Sequence, residues 1–189
     1  MKKALAAALI LALLAAVPAF ADEAMYRQAG QHFEKGLYYT AREEFLQSQW
    51  GNWEEWAAAC ILPWPENGEI WQGDPGPEKD VRVVFDVEQE EKSAHFFRVF
   101  RDGLAVSEVF VGGPGKIELD LAAGTYEIWM GMGSQWFGRA EIFGSDGIYQ
   151  TMAISDDGSS EVELKSNYAY DIYIGPRKPE PPPRWEEFK

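Results

Sequence analysis

From Val81 to Ile174, apolar residues recur at every second position in short runs, and turn-forming residues separate the runs. This two-residue period is typical of strands with one buried face, because successive side chains of a strand point to opposite sides. The alternating runs start at Val81, Ile117, Val162 and Tyr168, and the turn signals include Asp102-Gly103, Asp146-Gly147 and Asp157-Gly158. No helical pattern intervenes. We therefore expect a mainly β fold built as an antiparallel β-sandwich.

Residues 24–48 follow a helical spacing instead. Two short helices are indicated by Met25, Ala29, His32 and Phe33, then by Tyr38, Ala41, Phe45 and Leu46, with Gly36 as the break between them. A third helix is expected after Asn52, which forms a capping-box pattern with Glu55. Its apolar face would carry Trp53, Trp56, Ala57 and Cys60. The fold class is thus an antiparallel β-sandwich plus two or three short helices.

Ala29, Gly36, Tyr38, Ala41 and Phe45 resemble the pattern of a single tetratricopeptide repeat. In that family a small residue on one helix receives a large residue from its neighbour. The resemblance implies a closely packed helical hairpin and a peptide-binding groove.

The stretch 121–128 resembles the strand entry of prealbumin-like sandwiches, including carboxypeptidase regulatory-like domains. The matching residues are Leu121, Gly124, Tyr126 and Ile128. The resemblance implies a tight turn at Gly124, a Tyr126 ring in the core, and an accessory or structural role.

The first residues have the three zones of a secretory signal. Lys2 and Lys3 are followed by an apolar run over 4–17, and Ala19-Phe20-Ala21 supplies a small-residue cleavage site. The run is too short to cross a bilayer, which needs about 20 apolar residues. We expect cleavage before Asp22 and a mature protein that works in the periplasm or is secreted, without spanning the membrane.

The chain divides by composition into five parts. We expect a signal peptide at 1–21, a helical segment at 22–62, a Pro/Gly-rich linker at 63–80, a β-sandwich at 81–175, and a proline-rich tail at 176–189. The tail contains Pro176, Pro179 and Pro181 to Pro183, so we expect it to be extended.

The charge of the chain restricts its partners. Without residues 1–21, 15 basic residues face 31 acidic ones, for a net charge of −16. A field of that sign repels nucleic acids and anionic lipids, and it leaves cationic partners or divalent cations open. We expect the partner to be a protein or a glycan.

The sequence contains no motif for catalysis or for a cofactor. Cys60 is the single cysteine, His32 and His95 are the two histidines, and no nucleophile elbow is present. The acidic stretch with Asp156, Asp157 and Glu161 lacks the spacing of a calcium-binding loop. We therefore expect no catalytic residue, no metal site and no cofactor.

The stretch 129–147 combines aromatic residues with glycines and has two interpretations. In one, the aromatics pack beneath a bent loop. In the other, Trp129, Trp136 and Phe137, with Arg139 nearby, stack on a sugar ring or a partner side chain.

Three functions remain open on the sequence alone. The first is an exported non-enzymatic binding or structural module of the cell envelope that mediates protein interaction. The second is a carbohydrate-binding module that uses the loop aromatics. The third is a hydrolase with paired carboxylates, whose apposition a sequence cannot show.

Overall fold

The computed structural model describes residues 22–73, 79–88, 93–152 and 158–175. The proposed signal peptide, the proline-rich tail, Asp156 and Asp157 lie outside these ranges. The described chain is mainly β with a few short helices, and it forms two compact units. The helical unit comprises residues 22–63 and Gln135–Ser145, and the sandwich unit comprises Trp64–Ser134 and 146–175.

The helical unit contains three N-terminal helices and one short later helix. They are α1 (Glu23–Glu34), α2 (Tyr38–Ser48), α3 (Trp53–Ala59) and α4 (Gly138–Glu141). Asp22 caps α1 by accepting a hydrogen bond from the Met25 N–H at 3.0 Å. The backbone N–H of Asp22 also donates to the carbonyl of Ser48, the last residue of α2, at 2.8 Å.

A small core holds the helical unit together. Its buried members are Ala29, Ala41, Phe45, Ala57 and Cys60. These residues lie at the positions that the helical spacing predicts to be apolar and inward-facing.

The capping box predicted for α3 is wrong. Asn52 makes no side-chain hydrogen bond to the helix backbone. Its Oδ1 accepts instead from the Tyr26 hydroxyl at 2.5 Å, and its Nδ2 donates to Glu55 Oε2 at 3.0 Å. The oxygen that would cap α3 is therefore used to bind α1.

The described residues of the sandwich unit form nine strands. They are β1 (Gly68–Gln72), β2 (Val81–Val87), β3 (Ala94–Arg101), β4 (Leu104–Val111), β5 (Gly115–Leu121), β6 (Gly124–Gly133), β7 (Ile148–Thr151), β8 (Glu161–Leu164) and β9 (Ala169–Ile174). One sheet has the order β1-β4-β3-β6-β7, with β8 also pairing with β6, and the other has the order β5-β2-β9.

The two sheets share one core, which confirms the expected fold class. Both contribute fully covered aromatics, and the Phe85 and Phe97 rings lie 4.6 Å apart. The turn predicted at Asp102-Gly103 joins β3 to β4, with φ values of 52° and 74° that suit a type I′ hairpin.

Two features differ from the sequence expectation. β2 and β9 pair in parallel, whereas all other paired strands are antiparallel among the described residues. The segment expected to be a linker contains β1, which pairs with β4 across an irregular register. The sequence indicated a linker because glycines and prolines surround β1. The strand itself is short and its register is interrupted, so it left no clear alternating pattern.

Candidate functional site

The helical unit carries an open groove of about 200 Å³ along α1. We call it the helical groove; its lining residues are Tyr26, Arg27, Gly30, Phe33, Glu34, Phe45 and Trp56. Gly30 lies midway along α1, and a Cβ at that position would meet no atom within 4 Å. The missing side chain of Gly30 therefore leaves the middle of the groove open.

Aromatic rings form the floor and walls of the helical groove. Trp56 stacks on Phe45 with ring centroids 5.9 Å apart and planes 21° apart, and the Phe33 ring meets Trp56 edge-on at 5.2 Å. Phe45 is buried, whereas Trp56 is 38% exposed. Trp56 is thus supported from below and remains accessible from the groove, as a ring that receives a ligand must be.

Tyr26 connects the groove to the start of α3. Its hydroxyl is held by Asn52, and its ring lies 3.6 Å from the position that a Cβ of Gly51 would occupy. Gly51 has a φ of 57°, a conformation that favours glycine. This local turn allows α3 to begin close to α1, so Trp56 reaches the groove.

Two opposite charges mark the ends of the helical groove. Arg27 and Glu34 are both exposed, and they lie seven residues apart on α1. At 1.5 Å per residue, that spacing corresponds to about 10.5 Å along the helix axis. Arg27 also pairs with Glu23, one turn earlier on α1. The groove is therefore apolar in its middle and charged at its ends.

A second surface lies on the outer face of the larger sheet. Trp129 on β6 is 47% exposed, and the Phe100 ring on β3 lies 4.8 Å from it at an angle of 50°. β6 pairs with β3 on one side and with β7 on the other at this point, so its backbone is held on both sides. We call Trp129 and Phe100 the sheet platform.

Arg98 lies beside the sheet platform, directly opposite Trp129 in the register of β3 and β6. Its guanidinium binds the buried carboxylate of Glu108 at 2.8 and 2.9 Å. It also lies 5.3 Å from the centre of the Phe96 ring. These contacts fix the position of a polar group at the border of an aromatic surface.

The four residues predicted from the 129–147 stretch belong to two different units. Trp129 belongs to the sandwich unit, whereas Trp136, Phe137 and Arg139 belong to the helical unit. Trp136 and Phe137 are only 4% and 2% exposed. Because a stacking platform has one open face, the structure favours the interpretation in which these two aromatics pack within the protein.

Specific contacts hold Trp136 and Phe137 inside the helical unit. The backbone carbonyl of Trp136 accepts from the Leu62 N–H at 2.9 Å, and the Trp136 ring meets Phe143 at 5.7 Å. The Phe137 ring meets Tyr39 of α2 at 5.2 Å. Arg139 is exposed on the short helix α4.

The two histidines and the cysteine contribute to packing or to contacts between elements of the fold. His32 Nδ1 lies 2.6 Å from Glu44 Oε2, which links α1 to α2. His95 is 1% exposed within β3. Burial raises the pKa of the Cys60 thiol to about 11, so the thiol remains protonated at neutral pH.

No group of three or more His, Cys, Asp and Glu side chains is arranged to hold a metal ion in the described ranges. Within the same ranges, no helix has both the length and the apolar character to span a membrane.

No protein-family model and no curated protein matches this chain. The function therefore has to be inferred from the geometry of the two surfaces.

Sequence reasoning placed Phe33 and Trp56 on inward helix faces but did not identify the helical groove. The available signal was Gly30, a glycine inside a helical pattern with Tyr26 one turn before it and Phe33 one turn after it. A glycine costs helix stability relative to alanine, so its presence in the middle of α1 indicated a local requirement for space.

Proposed function

We propose that this chain is an exported, non-enzymatic binding module of the cell envelope that holds a segment of a protein partner in the helical groove. The observation that carries the proposal is the combination of an exposed, supported Trp56 ring with the open position at Gly30. Aromatic rings offer a large contact area at low entropic cost, and they are enriched in protein interfaces.

The proposal also includes export from the cytoplasm and the resemblance of the chain to two protein families. The signal pattern over 1–21 supports export. The covered small residues Ala29 and Ala41, packed with Phe45, support a tetratricopeptide-like hairpin. Gly124 with a φ of 156° and Tyr126 at 1% exposed support a prealbumin-like sandwich that serves as an accessory scaffold.

A second candidate function is carbohydrate binding at the sheet platform. The observation that favours it is the 47% exposure of Trp129 on a strand that is paired on both sides. Phe100 tilts against Trp129 and extends the aromatic surface. A sugar ring would stack its apolar face on Trp129 and use the polar border for hydrogen bonds.

One pair of variants separates the two candidates. Gly30→Leu fills the helical groove with an apolar side chain, and the open space at Gly30 makes the substitution compatible with folding. Trp129→Ala removes the sheet platform. A displayed peptide library and a glycan array are probed with the wild-type mature protein and with each variant.

If the helical groove is the binding site, the wild-type protein selects peptides from the library. Gly30→Leu then lowers the affinity for these peptides by at least about tenfold, as expected when an interface hot spot is disrupted. Trp129→Ala leaves peptide binding unchanged. Peptide binding that survives Gly30→Leu contradicts the proposal. Glycan binding that Trp129→Ala abolishes establishes the second candidate.

A further inference from the structure

We propose that the helical groove recognises an arginine side chain of the partner segment. The side chain enters over Gly30, its guanidinium lies on the Trp56 ring, and the Glu34 carboxylate binds the guanidinium N–H groups. This inference rests on the proposed function, because it names the chemistry of the ligand that the same groove selects.

The aromatic walls of the groove suit a cation as well as an apolar group. Trp56 rests on Phe45 and remains partly exposed, and the plane of the Phe33 ring stands at 81° to that of Trp56 with centroids 5.2 Å apart. Tyr26 lines the same groove. The face of an aromatic ring attracts a cation, and tryptophan does so most strongly. The charged groups at the groove therefore decide which kind of side chain it prefers.

Glu34 is the charged group that lacks a counterion. Its carboxylate is exposed at the groove, and it makes no hydrogen bond or ion pair with another described residue. Arg27, at the other end of the groove, is already paired with Glu23 at 2.5 Å. Glu34 is also the last residue of α1, where the backbone carbonyls disfavour an anion and favour a cation. A bound cation thus relieves an unfavourable position, whereas a bound anion has to displace Glu23.

The charges around the groove favour the same ligand. Residues 22–63 contain seven acidic residues and three basic ones, and this excess attracts cationic segments. Lys35 follows Glu34 directly but does not line the groove, and adjacent residues of a helix do not face each other. Lys35 therefore does not occupy the place of the ligand.

The shape of the groove favours arginine among the cationic side chains. Its guanidinium is planar, so it stacks on an aromatic ring and binds a carboxylate through two N–H groups at the same time. Its apolar stem needs room beside the rings, and a Cβ at Gly30 would meet no atom within 4 Å. Gly30 and Glu34 are four residues apart, about 6 Å along the helix axis, so a side chain that enters at Gly30 meets the carboxylate one turn later.

A matched pair of small probes tests the preference for a cation. N-acetyl-arginine amide and N-acetyl-citrulline amide have nearly the same shape, but citrulline is neutral. Each probe is titrated into the mature protein, and binding is followed by the NMR signal of the Trp56 indole N–H, which is identified by its loss in Trp56→Phe. We expect arginine to bind about three- to thirtyfold more tightly than citrulline, the combined effect of one cation–π contact and one exposed ion pair. Equal affinities, or no response to arginine, overturn the inference.

Two variants that each remove one negative charge test the role of Glu34. We expect Glu34→Gln to weaken arginine binding about two- to fivefold and to leave citrulline binding unchanged. Glu54→Gln is the control, because Glu54 is exposed on α3 and does not line the groove. We expect it to leave the binding of both probes unchanged. If Glu54→Gln weakens arginine binding as much as Glu34→Gln does, only the net charge attracts the probe, and the inference is overturned.

Failure of this inference is distinguishable from failure of the proposed function. If arginine and citrulline bind equally while Gly30→Leu still lowers the affinity for library peptides, the groove binds a partner segment without selecting a cation. If Gly30→Leu leaves peptide binding unchanged, the groove is not the binding site of the proposed function.

Discussion

Tyr126 and Trp129 lie three positions apart on β6 and face opposite sides of the sheet. Tyr126 is 1% exposed and Trp129 is 47% exposed. The Tyr126 hydroxyl donates to the carbonyl of Ala122 at 2.8 Å, which ties the start of β6 to the residue that follows β5. Burial raises the pKa of the Tyr126 hydroxyl, so the tyrosine stays protonated as this bond requires.

Because Tyr126 and Trp129 lie on opposite faces of the sheet, we expect their truncation to lower the free energy of unfolding by unequal amounts. Tyr126→Ala removes a buried aromatic, and we expect it to lower the free energy of unfolding by about 3 kcal/mol or more. Trp129→Ala removes a half-exposed ring, and we expect a loss of about 1 kcal/mol or less. Tyr126→Phe removes only the hydrogen bond, for a loss of about 1 kcal/mol. Urea unfolding measures all three; equal losses at positions 126 and 129 would contradict the one-sided burial.

From the burial of the Cys60 thiol we predict how it reacts with a thiol reagent and how the stability of the protein depends on pH. The folded protein holds the thiol proton to a pKa of about 11, against 9.0 for an ordinary thiol. The contribution of Cys60 to stability is therefore complete below pH 9 and declines as the pH rises from 9 towards 11. An aromatic disulfide reagent at pH 8 should modify Cys60 only on unfolding, while a Gln31→Cys thiol reacts at once. Rapid labelling of native Cys60 would disprove the assignment.

At the scale of elements, helix α2 is capped by a residue that lies far away in sequence. Leu37 precedes α2 and offers no side-chain cap. The carboxylate of Glu141 instead accepts from the Tyr39 N–H at 2.6 Å and from the Thr40 N–H at 3.2 Å, and it also accepts from the Thr40 hydroxyl. A carboxylate at this end is favoured by the exposed N–H groups and by the helix dipole.

Removing the Glu141 cap should destabilise the helical unit. We expect Glu141→Gln to lower the free energy of unfolding by about 1 kcal/mol and Glu141→Ala by about 2 kcal/mol, because a charged acceptor and then the whole cap are lost. Glu163→Gln, at an exposed carboxylate on β8, is the matched control and should change stability by less than about 0.5 kcal/mol. If the Glu141 and Glu163 variants are equally stable, Glu141 is not a cap.

At the scale of the whole molecule, the helical unit is discontinuous in sequence. Residues 135–145 leave the strand order between β6 and β7 and complete the helical unit. They supply Trp136 and Phe137 as buried rings and Glu141 as a cap. Residues 22–63 therefore lack part of their own core.

This discontinuity predicts the behaviour of fragments. Residues 22–63 alone should be largely unfolded by circular dichroism, because the three helices lose Trp136, Phe137 and the Glu141 cap. Joining residues 135–145 to the fragment through a flexible Gly/Ser linker should increase the helical signal. A cooperative unfolding transition in the 22–63 fragment by itself would refute this dependence.

Much of the fold was predictable from the sequence, because local periodicity determines which face of an element is buried. The alternation at Val81, Val83 and Phe85 correctly predicted β2, and the helical spacing of Ala29 and Ala41 correctly predicted the hairpin core. The burial of Trp136 was not predictable in this way. Its ring meets Phe143 and its backbone pairs with Leu62, which lies 74 positions before it, a pairing that no local period encodes.

The candidate site shows the same limit. The sequence placed Trp129 opposite Tyr126, because strand period fixes opposite faces. It could not place Trp56 beside Gly30, because these residues are on different helices whose approach depends on the Tyr26–Asn52 contact. Sites built within one element are thus readable from sequence, whereas sites built between elements require the fold.

The position of the Asp22 backbone nitrogen gives signal removal an energetic consequence. Cleavage before Asp22, as we propose, converts the N–H that reaches the Ser48 carbonyl into a positively charged terminal amine. A cation at the C-terminal end of a helix contributes about 0.3–1 kcal/mol. Maturation would then strengthen the helical unit as well as release it. Mature protein with a free Asp22 amine should be more stable in urea than the same protein acetylated at Asp22, and equal stabilities would exclude the effect.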